Sequence, residues 1–166
     1  ETILKVAKLL KQEDEIIFLF IGNRAQHKFL KELKLKWSLK NCIFLPYHEK
    51  ENLIFSLSSA DIAIVSLKKE ATNLVAPSKL YGHLGCGTPV CAISSNKSYL
   101  KKLIEEFELG KWFANNNYKD IANWIIFLKE NPKTAKEIGL NCQNYLKKYA
   151  SLDVISRKYE EILKKV

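Results

Sequence analysis

The sequence predicts an α/β fold, a Rossmann-like parallel sheet with helices on both faces. Helical and strand-like hydrophobic periods alternate along all 166 residues. The strand-like runs are short and continuously apolar, as in strands that are buried on both faces. No internal repeat or low-complexity linker interrupts them. Such alternation builds parallel sheets covered by helices, and the length suits one domain, 1–166, rather than two Rossmann-like halves.

The predicted strands are short apolar runs bounded by polar or turn-forming residues. They lie at Ile16 to Ile21, Cys42 to Leu45, Asp61 to Val65, Pro89 to Ile93 and, as a short edge strand, Trp112 to Phe113. Between them, apolar residues recur three and four positions apart, which predicts helices. These are a first helix ending near Gln12, then helices through Phe29 and Leu33, through Leu53 and Leu57, from Pro77 onward, through Leu100 and Ile104 with a stop at Gly110, through Ile121 and Leu128, and two more.

The formal net charge of +9 comes mostly from lysines that are spread over many helices. This distribution is typical of a solvated surface. The functional alternatives are attraction to a sugar-nucleotide diphosphate or to an anionic membrane surface that carries a lipid-linked acceptor. Nucleic acid is not expected as a partner, because no basic run is interleaved with aromatic residues in a known binding motif. The longest apolar run is far too short to span a bilayer.

The cysteines, at positions 42, 86, 91 and 142, show neither C-x-x-C pairs nor histidine-rich spacing. Three of them lie in apolar strand or helix contexts. This pattern favours free, buried thiols in a reducing cytoplasm over disulfides or a zinc site. We expect no metal site.

The segment from Val75 to Val90 carries the clearest functional signal, because it reads as a helix start joined directly to a buried strand. Proline is favoured at the first helical position, so a helix opening at Pro77 would leave the amides of Ser78, Lys79 and Leu80 free for an anion such as phosphate. Gly87 is suited to a left-handed helix end. An ordinary helix-to-strand corner is the alternative interpretation.

Ligands of parallel sheets bind at the carboxyl ends of the strands, so the loops that follow the strands are candidate binding loops. Gly22 permits close backbone approach, Asn23 shares its turn, and Arg24 could meet phosphate charge. Tyr47 and His48 could flank a nucleobase. The further loops at this edge are Ser66 to Ala76 and Ser94 to Asn96. A simple turn with a surface arginine, and an ordinary exposed tyrosine, are the competing interpretations.

The run P-S-K-L-Y-G-H-L-G-C-G-T-P-V, which begins at Pro77, resembles the donor-binding segment of family 4 retaining glycosyltransferases of the GT-B fold. Four further segments resemble this family in its own order: F-I-G-N from Phe20, N-C-I-F-L-P-Y from Asn41, S-A-D-I-A-I-V-S-L from Ser59, and the closing helix from Ser151. The resemblance covers the C-terminal, nucleotide-sugar-binding half of such an enzyme. It implies that the N-terminal GT-B domain is missing from this chain.

The resemblance implies transfer of a sugar from a UDP- or GDP-sugar to an acceptor hydroxyl with retention of configuration, in polysaccharide or glycolipid biosynthesis. No cofactor other than this donor is implied. The acceptor would be a saccharide or lipid-linked, and the enzyme cytoplasmic, with peripheral contact at the inner face of the membrane as an option. Amides at Ser78 to Leu80 and the cation of Lys79 would stabilise the departing diphosphate without a metal. The isolated domain is expected to bind a donor without transferring its sugar.

The chain departs from the family pattern at two glutamates that many members carry eight positions apart. Leu74 and Gly82 occupy those positions. Gly82 is expected about one turn beyond Ser78, on or near the helix face that looks into the cleft. Glu70 is the one carboxylate in the preceding loop, so it is the candidate for the ribose hydroxyls. The missing glutamates leave two other functions open: a non-catalytic relative that binds a nucleotide or a partner protein, and half of a GT-B sugar-nucleotide 2-epimerase.

Overall fold

The computed structural model describes residues 1–22, 27–47, 49–72 and 74–164. Its helices are α1 Thr2–Leu9, α2 His27–Lys36, α3 Leu53–Ser58, α4 Lys79–Cys86, α5 Tyr99–Glu106, α6 Tyr118–Glu130, α7 Pro132–Tyr145 and α8 Leu152–Leu163. Its strands are β1 Phe18–Ile21, β2 Cys42–Leu45, β3 Ala63–Ser66, β4 Val90–Ser94 and β5 Gly110–Ala114. The α/β alternation predicted from the sequence is confirmed, and every strand pairing in the described ranges is parallel.

The chain divides into two compact units. Glu1–Leu53 and Asn115–Glu130 form the first unit, and Ile54–Ala114 and Asn131–Val166 form the second. The single-domain assignment of 1–166 stays a prediction. Among the described helices, none is both long and apolar enough to cross a membrane.

The first unit is built on a parallel pair of strands, β1 and β2, in which Phe18 is opposite Cys42. Its core forms where α1 packs against α6, since the amphipathic face of α6 buries Ile121, Ile125 and neighbouring apolar side chains. The carboxamide of Asn41 donates to the carbonyl oxygens of Ala7 and Leu10 at 3.0 and 3.2 Å. It thereby satisfies carbonyls at the end of α1 that have no partner within the helix.

The second unit is built on three parallel strands in the order β3, β4, β5. All five residues of β4 are buried, so both faces of this strand are covered, as its unbroken apolar run predicts. The core joins β3 and β4 to α4, α5 and α7; its members include Val65, Leu80, Leu84, Ile104 and Cys142. The predicted edge strand is β5.

Three predicted helix boundaries differ from the structure. The first helix, predicted to end near Gln12, ends at Leu9. The helix predicted to open at Pro77 begins at Lys79, with Ser78 as its N-cap. The helix predicted to run to Gly110 ends at Glu106, and Gly110 instead begins β5 with φ +146°. At the other end of α4, Gly87 adopts the left-handed conformation, φ 71° and ψ 31°, so its predicted role as a helix stop is confirmed.

Candidate functional site

In the first unit, the candidate residues that the structure describes meet at the carboxyl ends of β1 and β2. The amide of Gly22 donates to the carbonyl oxygen of Leu45 at 3.1 Å, which prolongs the strand pairing by one step. Gly22 has φ +116°, a conformation that side chains rarely adopt. A Cβ built on it would lie 3.7 Å from Tyr47 Cδ2, and the Tyr47 ring itself is 79% exposed. The exposed ring of Tyr47 therefore lies beside the backbone of Gly22, which has no side chain of its own.

Three of the predicted binding residues lie outside the described residues. They are Asn23 and Arg24, which follow Gly22, and His48, which follows Tyr47. Their proposed contacts with a nucleotide stay predictions from the sequence.

In the second unit, the direction of α4 decides which edge of the sheet its first turn faces. The helix ends at Cys86, and only Gly87 to Pro89 separate it from the start of β4. Its last residue therefore lies near the amino ends of the strands. Eight helical residues span about 12 Å, so the first turn reaches toward the carboxyl ends of β3 and β4.

The first turn of α4 presents fewer free amides than the sequence predicts. The amide of Leu80 donates to the carbonyl oxygen of Pro77 at 3.0 Å, so it is not available to a ligand. The Leu80 side chain is fully buried in the core. The amides of Ser78 and Lys79 have no acceptor in the described part of the chain, and both residues are exposed. Of the three amides predicted to bind an anion, two are therefore free in the described residues, and the buried side chain of Leu80 anchors the turn that carries them.

Positive charge is concentrated around this first turn. Lys68 and Lys69 follow β3, Lys97 follows β4, and Lys79 opens α4; all four are exposed. In the ranges that the structure describes, none of them pairs with a carboxylate. Even with the carboxylate of Glu70 in the same loop, this edge carries net positive charge next to a helix N-terminus, an arrangement that attracts anions.

Glu70 lies in a short 3₁₀ turn, Lys69–Ala71, and is exposed. Thr72 Oγ1 closes this turn by donating to the carbonyl oxygen of Lys69 at 2.6 Å, and it lies 3.1 Å from Ser95 Oγ, in the loop after β4. The sequence predicted both loops at this edge but not the hydrogen bond between them. Thr72 and Ser95 lie in loops that follow different strands, and no repeating pattern in the sequence indicates that their side chains meet.

Gly82, where relatives carry a glutamate, faces another helix. A Cβ built on Gly82 would lie 2.7 Å from Cδ1 of Leu57 in α3. The expectation that this position looks into an open cleft is therefore wrong: its missing side chain makes room for Leu57. One residue on, His83 has a buried Nδ1 without a hydrogen-bond partner in the described residues. Burial, and secondarily the charge of Lys79, lowers the pKa of His83.

Among the described residues, the cysteines form neither a disulfide nor a metal site. All four cysteines are free, and Cys42, Cys91 and Cys142 are buried while Cys86 is partly exposed. Within the described residues, no three His, Cys, Asp or Glu side chains come together in a way that could hold a metal ion.

The family description "Glycosyl transferases group 1" matches residues 1–145. The chain is also similar to the probable glycosyltransferase WbjE of Pseudomonas aeruginosa, with 29% identity over 113 residues, which are 66% of this chain and 27% of that protein. The chain thus spans about a quarter of the length of this curated relative.

Two solved structures share the fold of this chain. The structure of HepE from Anabaena in complex with UDP-glucose matches 97% of this chain and 44% of HepE, with a TM-score of 0.78 at 17% identity. Sucrose-phosphate synthase from Thermosynechococcus elongatus matches 96% of this chain and 41% of that enzyme, with a TM-score of 0.79 at 18% identity. At these identities the likeness is one of fold.

Proposed function

The chain belongs to the group 1 glycosyl transferases, and from this premise we propose that it is the donor-binding domain of a retaining enzyme of family 4, the C-terminal half of a GT-B fold. It binds a UDP- or GDP-sugar for transfer to a saccharide or lipid-linked acceptor. The rest of the active site, including the acceptor site, belongs to an N-terminal domain. The single observation that carries the proposal is the first turn of α4, beside the carboxyl ends of β3 and β4, where two amides and a lysine have no partner among the described residues.

The proposed chemistry needs little from the domain besides charge. When the sugar leaves the donor, negative charge develops on the departing diphosphate. The amides of Ser78 and Lys79 and the Lys79 ammonium group are aligned with the positive end of the helix dipole, where they stabilise that charge. Lys69 and Lys97 add to the field that draws the diphosphate in. This arrangement supports the transfer without a metal ion.

Within the second unit, Glu70 accepts hydrogen bonds from the ribose hydroxyls of the donor. The first unit is considered by itself: by analogy with the family, the backbone at Gly22 is open to a nucleotide and the ring of Tyr47 can stack against a base. Asn23, Arg24 and His48 complete this set by analogy with the family. The acceptor is a precursor of a cell-envelope polysaccharide or a glycolipid. The enzyme acts in the cytoplasm, and its net positive charge favours contact with the anionic inner face of the membrane.

Isothermal titration calorimetry of the chain with UDP and with GDP tests the proposal. One of them should bind, and its affinity should fall as salt rises, because the contacts are charge-assisted. A folded chain that binds neither nucleotide at millimolar concentration would refute the donor-site assignment.

Lys79→Ala should weaken binding of the preferred nucleotide by about 1–3 kcal/mol, the usual contribution of a charge-assisted hydrogen bond. Lys102→Ala is the matched control, because Lys102 is an exposed helical lysine in α5, away from the first turn of α4. Equal affinities of the two variants at low ionic strength would remove Lys79 from the site.

A further inference from the structure

Hydrogen bonds of side-chain hydroxyl groups connect the loops at the carboxyl edge of the second unit. Thr72 Oγ1 donates to the carbonyl oxygen of Lys69 at 2.6 Å and lies 3.1 Å from Ser95 Oγ. Since a hydroxyl has one hydrogen, Ser95 is the donor in the second hydrogen bond. The loop after β3 is therefore joined by a side-chain bond to the loop after β4.

The loop after β4 is itself held to the third strand. The indole Nε1 of Trp112, in β5, donates to Ser94 Oγ at 3.0 Å, and Ser94 is completely buried. Ser94 Oγ in turn lies 3.3 Å from the carbonyl oxygen of Ser95. Ser95 thus has a fixed support, and Thr72 is bound to a part of the molecule that is anchored in the core.

The group that this support holds in place is the Lys69–Ala71 turn. Lys69 and Glu70 are exposed on it, and neither has an ion-pair partner in the described ranges that would fix its position. The backbone of the turn is the remaining determinant of where these side chains point. A turn closed by Thr72 and tied to Ser95 has fewer accessible positions than a free loop.

We propose that Thr72 and Ser95 are positioning residues for donor binding, because their hydrogen bond, the Thr72–Ser95 tether, holds Glu70 against the ribose of a nucleoside diphosphate. The inference rests on the proposed function. Relatives carry a glutamate at the position of Gly82, and here the tether orients the carboxylate of Glu70 instead. The tether acts through Glu70 and touches no substrate.

Substitutions can separate the tether from the closure of the turn. Ser95→Ala removes the tether but leaves the bond from Thr72 to Lys69, Thr72→Val removes both, and Thr72→Ser keeps both. We expect Ser95→Ala and Thr72→Val to raise the dissociation constant of UDP or GDP about three- to tenfold, the effect of losing one hydrogen bond, and Thr72→Ser to leave it within about twofold. Thr134→Val, on α7, is the control for a threonine with no side-chain hydrogen bond in the described residues.

A double-mutant cycle tells positioning from general loosening of the fold. In a Glu70→Gln background, neither Ser95→Ala nor Thr72→Val should weaken binding further, since the group that they position has lost its charge. A full additional loss in that background would overturn the proposal. So would an unchanged affinity in Ser95→Ala accompanied by a loss in Thr72→Val, because closure of the turn alone would then explain the effect.

Hydrogen exchange tests the Thr72–Ser95 tether independently of the proposed function. If the wild-type chain binds neither nucleotide, the donor-site assignment fails, while exchange still measures the tether. Peptides covering residues 67–72 should exchange faster in Ser95→Ala than in the wild type or Thr72→Ser. Identical exchange in the wild type and Ser95→Ala would overturn the tether itself.

Discussion

A close approach of two backbone segments in the second unit, α7 and the end of α4, predicts a large effect for a small substitution, Gly139→Ala. A Cβ added to Gly139 in α7 would collide with the carbonyl oxygen of Gly87 and lie 3.3 Å from its carbonyl carbon. Gly87 is held in the left-handed conformation, and its amide donates to the carbonyl oxygen of Leu84 at 3.1 Å. Its carbonyl group therefore has little freedom to turn away, and α7 must move instead.

The expected loss in the free energy of unfolding follows from the contacts that α7 makes near Gly139. Cys142, one turn further along, lies with its Sγ 3.6 Å from the carbonyl oxygen of Thr88 and 3.4 Å from that of Leu109. A displacement of α7 opens these contacts. Overpacking of a core costs about 1–3 kcal/mol, and a backbone obstacle places this case near the upper value. Alanine recovers about 1 kcal/mol of helix propensity. We therefore expect Gly139→Ala to lower the free energy of unfolding by about 2 kcal/mol.

Gly82→Ala is the matched control, because it makes the same chemical change inside another helix. Its Cβ would meet Cδ1 of Leu57, the end of a flexible and only partly buried side chain that can rotate away. Its unfolding free energy should stay unchanged or rise by up to about 1 kcal/mol.

Urea unfolding followed by circular dichroism measures both variants, with the m-value checked for constancy. Equal midpoints for Gly139→Ala and Gly82→Ala would show that the contact between α7 and Gly87 yields without cost, and would refute the reasoning.

Two further predictions concern titratable groups in the core. A thiol reagent at about pH 8 should modify Cys86 in the native protein and the other cysteines only on unfolding, because burial raises the pKa of Cys42 to about 11 and those of Cys91 and Cys142 to about 12. Mass spectrometry counts the adducts, and rapid addition of more than one would contradict this. His83→Gln should reduce the loss of stability on acidification below pH 6.5, because burial lowers the pKa of His83 and the unfolded chain takes up the proton first. The stability that neutral His83 contributes is thus present above pH 6.5 and lost as the pH falls, and urea unfolding curves with equal acid slopes for the wild type and His83→Gln would contradict this.

The sequence was sufficient to predict those features that a local pattern encodes. Unbroken apolar runs located all five strands, and β2 has the predicted bounds. The left-handed end of α4 followed from a glycine placed between an apolar helix and a proline. These predictions succeeded because the steric limits of the backbone and the spacing of apolar residues are properties of a few consecutive residues.

Features that depend on distant neighbours could not be predicted in this way. The start of α4 was predicted two residues too early, at Pro77 instead of Lys79. A proline near a helix start does not reveal whether its carbonyl oxygen accepts a hydrogen bond from Leu80. Gly82 was expected to face open space, and only the packed helices show that Leu57 fills it. The bond between Thr72 and Ser95 joins residues 23 positions apart. Such contacts are set by how the strands assemble.

The interleaving of the two units along the chain has a consequence for synthesis on the ribosome. The first unit begins with α1 but receives its packing partner α6 only after the whole parallel sheet of the second unit has been translated. Until then α1 lacks the larger of its two helical partners and can pack only against earlier elements such as α2, so part of its apolar face stays exposed during synthesis. A chain truncated before residue 115 would lack α6 in the first unit and α7 in the second, so the cores of both units would be unfinished.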